Sequence, residues 1–274
     1  MLIFIDFLLI NKFLMKKINN FNFVSKKILL RVDLNVPVIN GKVSDLSRIH
    51  SIKSTIFKLR ENKNKIFLLS HFGRPKGKFI KKYSLEFLCD VIKETLNLDK
   101  IFFSPSINEK DLKSTQSQMA DGDICLIENI RFCEGEEKND LDFSKYLSQF
   151  FDLYVNDAFS ASHREHASIV GVVKFLPAFA GNAFIKEIKN LNIFIEDPKK
   201  PTTCILGGSK ISTKLSLIEN LIEHSDYIII GGAMANTLLY VQGYNVGRSL
   251  IENNMSDIAD RIFQKAKNFN CKII

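Results

Sequence analysis

Five arginines in the sequence stand where they could bind an anion: Arg31, Arg48, Arg74, Arg131 and Arg164. Four of them follow or lie near the carboxyl end of a strand-like run, and Arg48 stands early in the helix after the first run. Arginine is scarce in this chain, since only 8 of the 38 basic residues are arginine. Its planar, permanently charged guanidinium suits phosphate and carboxylate oxygens. The pattern therefore predicts a site for a small, strongly anionic ligand.

A structural interpretation of the same arginines stays open at this stage. Each guanidinium could form its own ion pair, for example with Asp33, Glu128 or Glu165. The arginines are far apart in sequence, so only the fold decides whether they share a pocket. In open α/β sheets, ligands bind outside the carboxyl ends of the strands, which favours the binding interpretation.

Two short segments add polar groups to these strand ends. "RVDLNVP" contains Asp33 and Asn35, which would point to the same side of a strand and could hold a hydroxyl or orient an arginine. Alternatively, both side chains cap the turn that follows. "HFGRPKGK" places His71 and Arg74 around a turn whose glycine and proline need no further explanation. Turn formation alone does not require the histidine or the arginine.

Glycine turns mark the last third of the chain. "CILGGSKISTKLSLIENL" indicates a strand, a glycine turn and a helix whose first backbone N–H groups suit a phosphate. Lys210 and Lys214 are four residues apart and can share a helix face. "YIIIGGAMANTL" repeats the pattern, and its glycines could let a ring or phosphate approach the backbone. The spacing is not G-x-x-x-x-G-K-[ST], so a P-loop is not supported.

Short apolar runs alternate with amphipathic helices along the chain. Strands are predicted at 28–32, 66–70, 101–103, 124–128, 153–156, 204–207, 227–231 and 271–274. Several are apolar throughout, as expected for parallel strands covered on both faces. Helical spacing of apolar residues occurs within 49–59, after a predicted cap at Ser212, and after Ser256. The alternation predicts an α/β fold with a mostly parallel sheet.

A helix predicted at 182–196 divides the chain. We expect two doubly wound, Rossmann-like parallel-sheet lobes, 15–181 and 197–274, joined by this helix. The second lobe has too few strands to be complete, so we expect the chain to lack a C-terminal part. Residues 1–14 are expected to be a dispensable, non-structural extension, with a weak signal or anchor peptide as the alternative. They are too short an apolar stretch to span a bilayer.

Composition narrows the class of protein. The net charge of +8 favours anionic partners, but the lysines are spread along the chain, and neither zinc-finger spacing nor a basic run with aromatics indicates nucleic-acid binding. The five cysteines form no CxxC pair, and Cys125, Cys204 and Cys271 lie in strand-like runs as small buried hydrophobes. This usage fits a reducing compartment. His163 and His166 lack the partners of a zinc site.

Six motifs carry a resemblance to a known family. In order they are "KILLRVDLNVP", "SHFGRPKGK", "LIENIRFCEGEEKND", "VNDAFSASHREHAS", "LGGSKISTKL" and "GGAMANTLL". Together they closely resemble phosphoglycerate kinase of the bacterial type, from about residue 15 to residue 274. The resemblance implies a two-lobed kinase that moves the acyl-phosphate of 1,3-bisphosphoglycerate to ADP, giving 3-phosphoglycerate and ATP, with Mg²⁺ on the nucleotide. The first lobe would bind the sugar acid and the second the nucleotide.

The resemblance also implies roles for individual residues. Asp33 and Asn35 would hold the hydroxyl and carboxyl region of the substrate. The non-transferred phosphate would bind His71, Arg74, Arg131 and Arg164, and Phe72 and Gly73 would also lie at the substrate. Arg48 and Lys210 would stabilise the phosphoryl group in flight, and Lys214, Gly208 and Gly232 would bind the nucleotide. Phosphoryl transfer depends on such positioning and cations rather than on covalent help from the protein.

Three departures from the family pattern matter. Ala233 stands where the family usually has a third glycine, which puts the nucleotide fit there in doubt. Ser160 and Ala161 replace residues commonly seen as Gly-Thr, with little expected effect. The family's later nucleotide loop, its Trp-Asn-Gly-Pro segment and its terminal Gly-Gly-Gly-Asp-Thr segment, which carries a magnesium-handling aspartate, are absent.

These departures lead to an expectation and two alternatives. We expect the chain by itself to be inactive or nearly so as a kinase. The alternatives are a non-catalytic fragment that binds a phosphometabolite, and a basic interaction protein. A cytoplasmic monomer without nucleic-acid or membrane partners is expected.

Overall fold

The computed structural model describes residues 16–196 and 198–274, so the predicted extension at 1–14 lies outside the described residues. The chain divides into two compact units between Ile188 and Lys189, inside the predicted helix 182–196. We call the unit before this point the first unit and the unit after it the second. The predicted lobe boundaries and the joining role of the helix stay predictions. Within the described ranges, no helix combines the length and apolar character needed to cross a membrane.

Parallel strands form the centre of the first unit. Its strands are β1 (Lys27–Arg31), β2 (Val38–Ile39), β3 (Lys42–Val43), β4 (Lys65–Leu69), β5 (Phe102–Ser104), β6 (Ile124–Ile127), β7 (Leu153–Asn156) and β8 (Ala178–Ala180). Six of them form one sheet in the order β5-β6-β4-β1-β7-β8, and every neighbouring pair is parallel. The α/β expectation is therefore confirmed for the residues that the structure describes.

Helices cover both faces of this sheet. They are α1 (Ser47–Ser51), α2 (Lys53–Glu61), α3 (Leu88–Leu96), α4 (Glu109–Gln118), α5 (Glu134–Glu137), α6 (Leu141–Ser148) and α7 (Asn182–Glu196), with single turns at Ile18–Asn20, Lys81–Tyr83, Ile130–Phe132, Phe159–Ala161, Ala167–Gly171 and Val172–Lys174. Successive strand residues point to opposite faces. Leu30 and Leu68 pack against Ile49 and Ile56, whereas Phe67 packs on the other face with Leu147. Burial on both faces explains why the strands are apolar throughout.

The strand order creates a crevice next to β1. From β1 the chain builds the sheet outward through β4, and after β6 it crosses to β7 on the other side of β1. Ligands in doubly wound sheets bind at such a reversal, beyond the carboxyl ends of the strands. The segments that follow β1, β4, β6 and β7 are those that carry the arginines singled out in the sequence.

The predicted strands agree with the observed ones to within one residue at each end, but two features were missed. The hairpin β2–β3 turns at Asn40 and Gly41, which both have positive φ, at 50° and 75°. An Asn-Gly pair is the turn that a two-residue hairpin prefers, so the signal was present in the sequence. Strand β8 is only three residues long and carries no comparable signal.

The second unit is a smaller parallel sheet with helices. It contains β9 (Thr203–Gly207), β10 (Tyr227–Gly231), β11 (Lys272–Ile273), a turn at Ser212–Lys214 and helices α8 (Leu215–His224), α9 (Ala233–Val241) and α10 (Ser256–Asn268). The strand order is β11-β10-β9, and both pairs are parallel. The predicted Ser212 cap is wrong, because α8 begins at Leu215 and the Ser212 hydroxyl donates to Glu252 instead.

The start of α7 is held by side chains of the first unit. The backbone N–H of Phe184 donates to Asp157 Oδ1 at 2.9 Å, and that of Asn182 donates to Thr55 Oγ1 at 2.8 Å. Gly181 has no room for a side chain, because a Cβ there would lie 2.3 Å from Asp157 Oδ1. Asp157 cannot move away without releasing the first turn of the helix.

We expect Gly181→Ala to lower the free energy of unfolding by about 2–4 kcal/mol, from overpacking and loss of the helix cap. Urea unfolding followed by far-ultraviolet circular dichroism measures this. Gly207→Ala is the matched control, since a Cβ there meets no atom within 4 Å. Equal stability of the two variants would show that Asp157 is not held as described.

Candidate anion-binding site

The chain leaves β1 through a polar turn. The strand ends at Arg31, so the prediction that Asp33 and Asn35 lie on the strand is wrong. Asp33 Oδ1 accepts a hydrogen bond from the Asn35 N–H at 3.0 Å, a local turn that competes with the sheet ladder. Asp33 therefore caps the turn, as the alternative interpretation of these residues predicted.

The second oxygen of Asp33 contacts two other segments. Oδ2 accepts from the Ser160 hydroxyl and forms an ion pair with Arg48 in α1. Burial acts to raise the pKa of Asp33, but the hydrogen bonds from Ser160 and Asn35 and the Arg48 charge outweigh it, so the pKa lies below its usual range. The carboxylate therefore stays ionised at neutral pH. Ser160 was not expected to matter, yet it is a direct partner of Asp33.

The turn after β4 is held from three sides. The Gly73 N–H donates to Asn35 Oδ1 at 3.0 Å, and the Gly73 carbonyl accepts from Arg131 Nη1 at 2.7 Å. Gly73 has φ +61°, and a Cβ would lie 2.4 Å from the Tyr83 ring. Only glycine fits this position. The turn thereby ties the end of β1 to the arginine that follows β6.

Asn129, which the sequence analysis missed, connects the same segments. Its Nδ2 donates to the carbonyls of Phe72 at 2.7 Å and Tyr83 at 2.9 Å, and its Oδ1 accepts from the Phe72 N–H at 3.2 Å. The side chain is 1% exposed. A polar residue directly after a buried strand was the available signal, in "LIENIRF".

Positive charge accumulates around a buried imidazole. Arg131 is 3% exposed, and its Nε lies 3.1 Å from Glu137 Oε1, although the N–H is not aimed at that oxygen. Burial and the nearby charge of Arg164 lower the pKa of Arg131. Burial, then Arg31, Arg131 and Arg164, lower the pKa of His71 to about 2, against an opposing effect of Asp33. At neutral pH the imidazole is therefore uncharged among arginines.

The side chains of two further predicted residues, Arg74 and Phe72, are not among these contacts. Arg74 is exposed and forms no ion pair or hydrogen bond within the described residues. Phe72 packs edge-on against Phe87, with ring centroids 5.5 Å apart, and so its ring is part of an aromatic contact. The alternative interpretation, in which the arginines form structural ion pairs, applies to Arg48, which pairs with Asp33. It does not apply to Glu128, because this carboxylate accepts a hydrogen bond from the Ser84 hydroxyl at 2.7 Å.

We call the group Asp33, Asn35, Arg48, His71, Gly73, Arg131 and Arg164 the arginine site. Arg48 is paired with Asp33, but Arg164 lies close enough to Arg131 for its charge to lower the pKa of Arg131. Such like-charge proximity costs free energy that a bound anion would relieve. The arrangement is suited to an anion with several oxygens, such as a phosphate ester.

The second unit brings its predicted residues together around two glycines. Gly232 has φ +70°, and a Cβ there would lie 3.2 Å from the Gly208 carbonyl oxygen. A Cβ on Gly208 would lie 3.2 Å from Lys214 Cε. Bare backbone and an ammonium group therefore meet at the carboxyl ends of β9 and β10, which fits a nucleotide phosphate. Lys210 is exposed beside them.

One expectation for this turn needs correction. The N–H groups of Ile211 and Ser212 donate to Glu252 Oε2 at 2.7 and 3.1 Å, so they are not free for a phosphate. The Glu252 carboxylate therefore binds backbone N–H groups that were predicted to be available to a phosphate. No cluster of three or more histidine, cysteine or acidic side chains that could hold a metal ion occurs among the described residues.

The fold and the arginine site define a doubly wound α/β protein that is suited to small phosphorylated ligands. A family model described as phosphoglycerate kinase matches residues 18–274, and the chain belongs to this family. The chain is 42% identical to a phosphoglycerate kinase of Maricaulis maris over 94% of its length, and 45% identical to one of Brucella melitensis over the same share.

Solved structures agree with this membership. The structure of phosphoglycerate kinase from Coxiella burnetii matches with a TM-score of 0.79 and 38% identity, covering 95% of this chain and 65% of that one. The enzyme from Pyrococcus horikoshii matches with a TM-score of 0.76 and 28% identity, covering 93% of this chain and 64% of that one. This chain spans 64% and 65% of the lengths of the Maricaulis and Brucella relatives.

Proposed function

We propose that the arginine site binds 3-phosphoglycerate and that the chain acts in phosphoryl transfer between 1,3-bisphosphoglycerate and ADP. The observation that supports this most is the accumulation of Arg131 and Arg164 around a neutral His71. Two guanidinium groups can bind a phosphate by charge-assisted hydrogen bonds, and the Asp33–Asn35 turn offers acceptors for the hydroxyl of the acid.

The chemistry assigned to each residue follows from its charge and contacts. ATP or ADP with its own Mg²⁺ supplies or accepts the phosphoryl group. Lys214 with Gly208 and Gly232 would hold the nucleotide phosphates. Arg48 and Lys210 are proposed as the cations that stabilise the transferred group, a role that needs no general base. Asp33 holds the Arg48 guanidinium in place.

Calorimetric titration of this chain with 3-phosphoglycerate tests the binding proposal. We expect saturable binding that weakens as ionic strength rises, because the interaction is between charges. Glycerate, which lacks the phosphate, is the matched ligand and should bind far more weakly. A flat titration with 3-phosphoglycerate would exclude this ligand for the site.

A coupled assay with 3-phosphoglycerate and MgATP separates the kinase from its alternative. Turnover supports the kinase, and binding without turnover supports a non-catalytic phosphometabolite-binding protein. Binding of DNA that weakens with salt would instead favour the basic interaction protein. We also propose a cytoplasmic monomer, and sedimentation at several protein concentrations tests the oligomeric state.

A further inference from the structure

Arg31 is 1% exposed, and its guanidinium is surrounded by hydrogen-bond partners from the first unit. Its Nη1 donates to the carbonyls of Val32 and Leu69. Its Nε donates to Ser168 Oγ at 3.0 Å, and its Nη2 lies 3.1 Å from His71 Nδ1. Each of the three guanidinium nitrogens of Arg31 thus has at least one fixed partner within the first unit.

The contacts of Arg31 with Ser168 and His71 each have a defined donor and acceptor. The Ser168 hydroxyl donates to Glu136 Oε1 at 2.6 Å, so its oxygen is free to accept from Arg31. Glu136 also accepts from the Ser168 N–H at 2.9 Å and is fully buried. A guanidinium has donors only and no acceptor. His71 Nδ1 must therefore accept, and the ring hydrogen is left on Nε2.

The other ring nitrogen, Nε2, is the remaining polar atom of His71. No group in the described part of the chain forms a hydrogen bond with His71 Nε2. Among the described residues, the side-chain polar atoms that are shielded from solvent and lack a hydrogen-bond partner are Arg131 Nε, Asn139 Oδ1 and Asp157 Oδ2. His71 Nε2 is not one of them, so it keeps some contact with solvent. Nε2–H is therefore available to a ligand oxygen.

We propose that Arg31 is a positioning residue, which holds His71 as the neutral Nε2–H tautomer so that the arginine site presents one uncharged donor beside its guanidinium groups. Only the identity of the ligand rests on the proposed function, because the tautomer is a property of the free protein. An uncharged donor adds a hydrogen bond without adding to the repulsion between Arg131 and Arg164. It also keeps His71 from taking up a proton when the anion binds.

The tautomer can be read directly by ¹⁵N–¹H correlation spectra of the histidine rings at pH 7, with the His71 signals assigned from His71→Asn. For His71 we expect a protonated Nε2 and an unprotonated Nδ1. His224 is an internal control of opposite sense, since its Nδ1 lies 2.9 Å from the Asn220 carbonyl oxygen, which can only accept. A proton on His71 Nδ1, in either a neutral or a charged ring, would overturn the proposal.

A variant tests the cause of the tautomer. In Arg31→Gln the amide can both donate and accept, so we expect the second His71 tautomer to appear and the affinity for 3-phosphoglycerate to fall about two- to tenfold, the worth of one neutral hydrogen bond. If Arg31→Gln folds and His71 keeps the wild-type tautomer, Arg31 does not set the tautomer of His71. If Arg31→Gln does not fold, the tautomer seen in the wild-type spectrum decides whether the proposal stands. Arg31→Lys keeps a donor at this position, so His71 should have the wild-type tautomer in that variant.

The two proposals fail in different ways. If the tautomer is as expected but 3-phosphoglycerate does not bind, the proposed ligand is wrong and the role of Arg31 stands. If the ligand binds while His71 carries its proton on Nδ1, the proposed ligand stands and the role of Arg31 is wrong.

Discussion

Arg164→Gln is expected to weaken the binding of 3-phosphoglycerate about 10- to 100-fold. The variant removes one charged donor from the phosphate, and hydrogen bonds to charged groups contribute about 1.5–3 kcal/mol each. Arg164 is half-buried and close to Arg131 and His71, so its charge acts where solvent screening is reduced. Calorimetry at fixed ionic strength measures the change.

The same variant is expected to be at least as stable as the parent. Removal of Arg164 relieves its repulsion with Arg131, a cost that the free protein otherwise bears. Loss of affinity without loss of stability distinguishes a ligand-binding arginine from a structural one. Arg248→Gln makes the same change in net charge at an exposed position in the second unit and should leave the affinity unchanged. Equal losses of affinity in both variants would mean that net charge, rather than this site, binds the ligand.

Glu136→Ala is expected to destabilise the protein by about 3–5 kcal/mol, the usual cost of removing one member of a buried charged pair. The carboxylate is fully buried, accepts both the N–H and the hydroxyl of Ser168, and lies 3.6 Å from His166 Nδ1. Without it, the buried Arg31 guanidinium loses a negative charge to which Ser168 connects it. Urea unfolding followed by circular dichroism measures the effect.

Glu134→Ala is the matched control on the same helix, α5. Glu134 is 72% exposed, and its ion-pair partner in the described part of the chain is Lys138, one turn away, so its loss should cost no more than about 0.5 kcal/mol. Comparable losses of stability in the two variants would contradict the buried network.

The stability difference between the parent and Glu136→Ala should depend on pH. Burial acts to raise the pKa of Glu136, but the contacts with His166, Arg31 and Ser168 outweigh it and the pKa lies below its usual range. A carboxylate with a lowered pKa contributes stability above its unfolded-state pKa of about 4.3 and loses it as pH falls further. The difference should therefore narrow below about pH 4. A constant difference down to acid pH would show that the ionised form is not the stabilising one.

Much of the fold follows from local sequence patterns. Buried parallel strands are apolar on both faces, and this property placed the predicted strands of both units to within a residue, although the hairpin β2–β3 and strand β8 were missed. The helix at Asn182–Glu196 was predicted with the same bounds because its apolar spacing and the flanking proline and glycine are local signals. The position of the arginines after the strands is likewise a property of the sequence.

Only the tertiary structure decided which partners these arginines have. Arg31 and Arg131 both stand after an apolar run and are both buried, but Arg31 contacts Ser168 and His71, whereas Arg131 donates to the Gly73 carbonyl. The sequence offered Asp33 as a possible ion-pair partner for an arginine but did not single out Arg48, and it did not indicate the contact of Glu136 with Ser168. Local patterns determine which faces of strands and helices are buried, because that depends on neighbours a few residues away. The partner of a buried charge depends on the strand order and the paths of distant segments, and only the packed chain brings those groups together.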